Sequence, residues 1–323
     1  MYTYWQVFKQ AFKIAWQNPG LWLFGLFTAL LGSAGGLELI MSGYGFGGQG
    51  IIVSFWQGLV EGGLFTVAGF HGFTKILSTN PFYLFVIILF ALAAIGITVL
   101  VLWFSIISQS ALIGQAISIS KSKSLNWRES FDLGLTKFWK VLFLNLLGQA
   151  VVWTLLFVIS FFGILSPTNS ISIILTFIFE TLAVGLAFAF LLILSFVVKF
   201  AVCGAVLKDW SFKETINQSI KLFFQNWLLG LEIAVVLFAI NLAVNAISVY
   251  LLSWLFFFAV KLYAAFYFGL VFIFLLLLVT FLLIQILLVI FHWSVWAIIF
   301  ELASNKKLAI RSFIARIFQK KML

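Results

Sequence analysis

The titratable side chains best placed for chemistry lie inside long apolar runs, and they are few: Glu180, Glu232 and Lys199. A charge held at bilayer depth costs about 3 kcal/mol or more unless it is paired or hydrated. An intramembrane carboxyl is therefore either a proton or cation site, or a protonated group bonded to a neighbouring helix. Glu180 falls near the middle of its run and fits both roles. Glu232 lies a turn or two inside another run. Lys199 lies near the end of its own, where a long stem lets the ammonium snorkel to the interface or pair with Glu232. Asn241 and Asn245 share one helix face, as do Asn145 and Gln149, and Gln285 lies in the last run. Such amides either bond helices to one another or line a polar path. Glu38 and Glu61 fall near the outer interface, where a solvated carboxylate is the default.

Other chemistry finds little footing. His71 and His292 are separated by most of the chain, and neither has a His or Cys at ligand spacing, so the sequence carries no metal motif. It also lacks a glycine-rich phosphate loop, a nucleophile elbow and a catalytic carboxylate pair at a known spacing. Glu61-Gly62-Gly63 suits close helix approach better than catalysis. The expectation is a protein that is not an enzyme and carries no cofactor. The single cysteine, Cys203, excludes an internal disulfide and reads as a small core residue.

These residues must be positioned by membrane-length helices. A chain of 323 residues that is 64% hydrophobic and 9% charged lacks the polar surface of a water-soluble fold. It is expected to be an all-α integral membrane protein with six spans, at about 19–41, 81–119, 139–164, 170–207, 226–259 and 264–303. The even-numbered spans approach 40 residues, more than a bilayer needs, so their ends should project into water or break, with Gly96 and Gly114 as breakable points.

The net charge of +10 follows the positive-inside rule rather than a nucleic-acid footprint. With the N-terminus in the cytoplasm, six crossings put nearly all the basic residues inside and leave only Lys75 and Lys261 outside. Both termini are then cytoplasmic. Trp5, Trp16, Trp22, Trp127, Trp139, Trp210 and Trp227 fall near the predicted interfaces, as an aromatic belt requires.

Three segments open alike. Thr3-Tyr4-Trp5-Gln6, Asn126-Trp127-Arg128-Glu129 and Ser211-Phe212-Lys213-Glu214 each place a capping residue three positions before Gln or Glu, which is the capping-box arrangement. Apolar residues recur at positions one, five and nine after the cap: Tyr4, Phe8 and Phe12, then Trp127, Phe131 and Leu135, then Phe212, Ile216 and Ile220. Lys9 and Lys13, Asp132 and Lys137, and Asn217 and Lys221 take the opposite face, so each segment reads as a short helix lying flat on the membrane. The first is expected to be retained rather than removed as a signal peptide. The repeat unit is thus a surface helix, an outward span and a longer inward span, filling 3–120, 126–208 and 211–303. Residues 42–80 form an insertion in the first unit. Its apolar part reads as interfacial or re-entrant, because a seventh crossing would move the cluster from Lys121 to Lys140 outside.

The remaining segment, 304–323, is a basic amphipathic helix. Lys306, Lys307, Arg311, Arg316, Lys320 and Lys321 are its expected contacts with anionic headgroups, at about 1 kcal/mol for each cation close to the surface. The blander alternative is an ordinary stop-transfer flank.

The run from Phe12 to Trp22, with Gln17-Asn18-Pro19-Gly20 at its centre and an echo in Phe224-Gln225-Asn226-Trp227, resembles the entry segments of a loose group of bacterial six-span proteins. That group includes the membrane domain attached to some glycerophosphodiester phosphodiesterases. The resemblance implies a prokaryotic inner-membrane location. The catalytic phosphodiesterase domain is absent here, so it implies no such activity. Two functions stay open: membrane organisation or lipid handling, with anionic lipids as partners, and a transporter or channel subunit using Glu180, Glu232, Lys199, Asn241 and Asn245. A homo-oligomer or a membrane-protein partner is compatible with both.

Overall fold

The computed structural model of the chain describes residues 4–30, 81–123, 126–164, 170–263 and 267–305. The insertion at 42–80 and the basic residues from Lys306 onward lie outside them. The described residues are all-helical, in the order α1 (Tyr4–Gln17), α2 (Gly20–Leu30), α3 (Pro81–Ser120), α4 (Trp127–Ile164), α5 (Ser170–Leu207), α6 (Phe212–Tyr263) and α7 (Tyr267–Ser304). Five of them, α3 to α7, contain stretches long and apolar enough to cross a membrane.

Helix starts follow the capping chemistry. Glu129 Oε2 accepts from the Asn126 backbone N–H at 3.0 Å, and α4 begins at the next residue. Before α6, Glu214 Oε2 accepts from the Ser211 N–H and Ser211 Oγ accepts from the Glu214 N–H, both at 3.4 Å. These exchanges satisfy backbone donors that a helix N-terminus leaves orphaned. Thr3 lies outside the described residues, and α1 begins directly after it. The preceding turns close with left-handed residues, Ser122 at φ 59° and Asp209 at φ 54°.

Helix ends diverge. At the fifteenth position after each cap stand Asn18, Val141 and Asn226. Asn18 Nδ2 donates to the Ile14 carbonyl at 3.0 Å and Pro19 follows, so α1 stops and α2 starts afresh. Asn226 takes φ −132° and ψ 23°, a kink inside α6, and its Nδ2 donates to the Leu222 carbonyl at 3.1 Å. Val141 offers no such bond, and α4 runs unbroken for 38 residues. The separate flat helix expected after Asn126 is therefore not formed. Of the two outcomes open to the long second span, projection or a break, the break does not occur: α3 passes through Gly96 and Gly114 for 40 residues. Gly114 serves packing instead: a Cβ there would come within 2.9 Å of Leu133.

The chain divides into two compact units, Met1–Ser33 with Phe104–Trp153 and Ile193–Leu323, and Ala34–Trp103 with Thr154–Leu192. The first holds the core. Its helices touch through small residues: a Cβ on Gly134 would lie 2.5 Å from the Ile107 carbonyl oxygen, and one on Gly230 would collide with the Phe196 ring. The fourth residue after each cap (Val7, Ser130, Thr215), the eighth (Ala11, Gly134, Ser219) and the eighteenth (Leu21, Leu144, Leu229) are all buried. The thirteenth, Trp16, Trp139 and Phe224, is 60%, 66% and 70% exposed. In the second unit the described part of α3 carries exposed Phe85, Phe90, Ile95 and Ile97, a surface that in water would be a liability and in lipid is matched to its solvent.

Candidate functional site: an apolar groove beneath α1

α1 is seated on the first unit by Val7, Ala11, Ile14 and Ala15, all buried. Four further contacts fix its position. The Phe8 and Phe291 rings lie 6.0 Å apart, Trp22 Nε1 donates to the Ala15 carbonyl at 3.1 Å, Gln10 Nε2 donates to the Ser120 carbonyl at 3.3 Å, and Asn18 caps the end as described. Because core contact takes up only one stripe of the helix, the adjoining flank overhangs α6 and α7. There Trp5 is 76% exposed, and Phe12 and Trp16 stack at 6.2 Å.

Between that flank and the two long helices lies a groove of about 840 Å³, within the ~300–1,000 Å³ typical of small-molecule sites. α1 contributes Trp5, Phe8, Lys9, Phe12, Ala15 and Trp16. α6 contributes Val236, Ile240 and Val244, and α7 contributes Ile284, Leu287, Leu288 and Phe291. Among the described residues Lys9 is the one charged side chain in this lining. Such a surface can take up an apolar chain and hold one anionic or hydrogen-bond-accepting group at its rim. It offers no nucleophile and no acid–base pair.

The polar residues predicted within the spans fall into separate places. Gln285 Nε2 donates to Asn245 Oδ1 at 2.6 Å, and Asn245 Nδ2 donates to Asn241 Oδ1 at 2.6 Å, so these amides link α6 to α7. Asn145 Nδ2 donates to Gln109 Oε1 at 2.7 Å, which ties α4 to α3. Gln149 does not share that bond, and its buried Oε1 has no hydrogen-bond partner among the described residues. Lys199 does not snorkel: it is 9% exposed, with its ammonium 5.1 Å from the centre of the Trp296 ring. A ring face attracts a desolvated cation and so offsets part of the cost of this depth. Trp296 Nε1 in turn donates to His292 Nε2 at 3.0 Å. Glu232 is half-buried on α6. Glu180 belongs to α5, but its side chain lies outside the described residues, as do Glu38, Glu61, His71 and the six basic residues of the tail. Among the described residues no three His, Cys, Asp or Glu side chains gather as a metal site.

Sequence reasoning missed a cluster of ion pairs at the helix ends. Asp209 accepts from Lys137 at 2.6 Å and from Lys140 at 2.8 Å, and Lys140 also donates to the Trp210 carbonyl at 3.2 Å. The hydrogen bonds and charges of Lys137 and Lys140 hold the Asp209 carboxyl at about 2, below its ordinary 3.8. Lys121 pairs with Glu301 at 2.7 Å, and Lys208 donates to Asn305 Oδ1 at 2.9 Å.

No family model, curated protein or solved structure matches this chain.

Proposed function

We propose that this is a six-span protein of a prokaryotic plasma membrane that handles or organises lipid at the inner leaflet, with no catalytic activity of its own. Both termini are cytoplasmic, and the chain is built from three units, 3–120, 126–208 and 211–303. The burial pattern after the three caps supports that scheme. So does the asparagine at the fifteenth position, which accompanies a helix break in the first unit and a kink in the third. The likeness to bacterial six-span proteins belongs to the same reading.

One observation carries the functional part: an amphipathic helix fixed along one stripe, overhanging an apolar groove with a single lysine in its lining. Water has little to bond to there, whereas lipid chains are the solvent of the spans on which the groove is built. Reconstitution into vesicles of phosphatidylglycerol, phosphatidylcholine or their mixture tests this. Preferential incorporation with phosphatidylglycerol, and co-purification of lipid after mild detergent extraction, are expected. Indifference to headgroup charge together with lipid-free protein would refute it.

A transporter role is the second reading, and the amide chain Asn241–Asn245–Gln285 between α6 and α7 favours it. Unchanged flux of ions and small solutes in Glu180→Gln and Glu232→Gln variants would remove its basis.

A further inference from the structure

We propose that the groove beneath α1 holds one acyl chain of a single anionic phospholipid of the inner leaflet, with its phosphate on the Lys9 ammonium. This inference rests on the inner-leaflet reading above and gives it a binding site.

Charge complementarity selects the occupant. The walls from α6 and α7 are aliphatic and aromatic, and among the described residues the only ion facing the groove is a cation. Lys13, one turn further along α1, is exposed on the same helix and adds to the positive field at the rim. Among the described residues no acidic side chain lines the groove to oppose it. An apolar trough closed by one ammonium matches an amphiphile whose chain is long and whose head is anionic, since a phosphate oxygen accepts a charge-assisted hydrogen bond from Lys. Exposed Trp5 and Trp16, one at each end of α1, are the side chains expected at headgroup depth. The bonds from Trp22, Gln10 and Asn18 hold α1 in place, so the groove is formed in advance of its ligand.

The test uses the full chain in nanodiscs of equal phosphatidylglycerol and phosphatidylcholine, followed by native mass spectrometry. Wild type is expected to retain one phosphatidylglycerol. Lys9→Gln should lower its preference over phosphatidylcholine about fivefold, the effect of one basic residue near an anionic surface. Val244→Trp, which fills the groove, should abolish retention. Lys213→Gln, on the third capped segment, should change nothing. A benzophenone amino acid at position 240 should capture phospholipid on illumination; capture of the chain's own tail or of a second copy would overturn the assignment. Retention indifferent to both groove substitutions would overturn it as well, while leaving the inner-leaflet reading standing. Wild type that retains neither lipid would remove both. Should Val244→Trp fail to fold, the Lys9→Gln result still decides, because the Lys9 side chain is exposed and takes no part in the core.

Discussion

The first capped segment and the second begin alike and end differently. Both place small or aliphatic residues at the fourth and eighth positions against the core, and both leave an exposed tryptophan at the thirteenth, Trp16 and Trp139. At the fifteenth position one has asparagine before proline and the other has valine before leucine. The first therefore breaks, and α1 lies as a separate helix with a groove beneath its flank. The second continues into α4 as one rod. A separate helix is thus made here by its terminator rather than by its amphipathic pattern, which the two segments share. The third segment sits between them, kinked at Asn226 without a proline.

Six substitutions, in four experiments, probe this contrast. The largest effect is expected for Gly134→Leu, because even a Cβ would meet the Ile107 carbonyl oxygen at 2.5 Å and the main chain cannot yield. Overpacking typically costs about 1–3 kcal/mol, and a clash with backbone that cannot move puts this one above that range. Loss of monodisperse protein in detergent is the expected readout, whereas Ala11→Gly, at the same position of the first segment, should leave it folded.

Next come prolines at the sixteenth position. Leu142→Pro falls in an unbroken helix and should cost about 3 kcal/mol, measured as reduced thermal stability. Trp227→Pro reproduces the Asn18-Pro19 order at a residue already preceded by the Asn226 kink and 52% exposed, and should cost clearly less. Equal losses would mean that the kink does not predispose the third segment to separate.

Smaller again is Asn245→Leu, which removes the amide link between α6 and α7 on which one side of the groove rests. The expected loss is about 0.6 kcal/mol, the mean for interhelical hydrogen bonds in membranes.

The smallest change is expected for Asp209→Asn. Asparagine tolerates the left-handed backbone, so the substitution isolates the ion pairs that the second segment makes through Lys137 and Lys140. Since the folded carboxyl titrates at about 2 rather than 3.8, its contribution is complete above about pH 4 and fades as pH falls toward 2. Thermal scans of wild type and variant should therefore differ slightly at neutral pH and converge in strong acid.

Much of this was legible in the residues. Capping boxes at Asn126 and Ser211 give the two helix starts to the residue, and Asn18-Pro19 gives the end of α1. The amides Asn241, Asn245 and Gln285 are readable as helix–helix bonds because their alternative is an unsatisfied group in lipid. What stayed hidden depends on contacts between distant parts of the chain. The groove needs α1 laid against helices more than 200 residues away, and no local pattern encodes that separation. Lys199 near a span end reads as a side chain that snorkels or pairs with Glu232, and the Trp296 ring beside it is in neither reading. The His292–Trp296 bond could have been found, since a spacing of four puts both rings on one face of α7. The unbroken course of α4 could have been anticipated from Val141, because nothing at that residue stops a helix.

The topology can be tested most directly by single cysteines at Lys13, Arg128 and Lys213, one in each capped segment, in a Cys203→Ala background. They would be challenged with a membrane-impermeant maleimide in right-side-out and inside-out vesicles. All three should react from the cytoplasmic side alone. Labelling of any one of them from the opposite side would contradict the six-crossing, three-unit arrangement and the inner-leaflet role built on it.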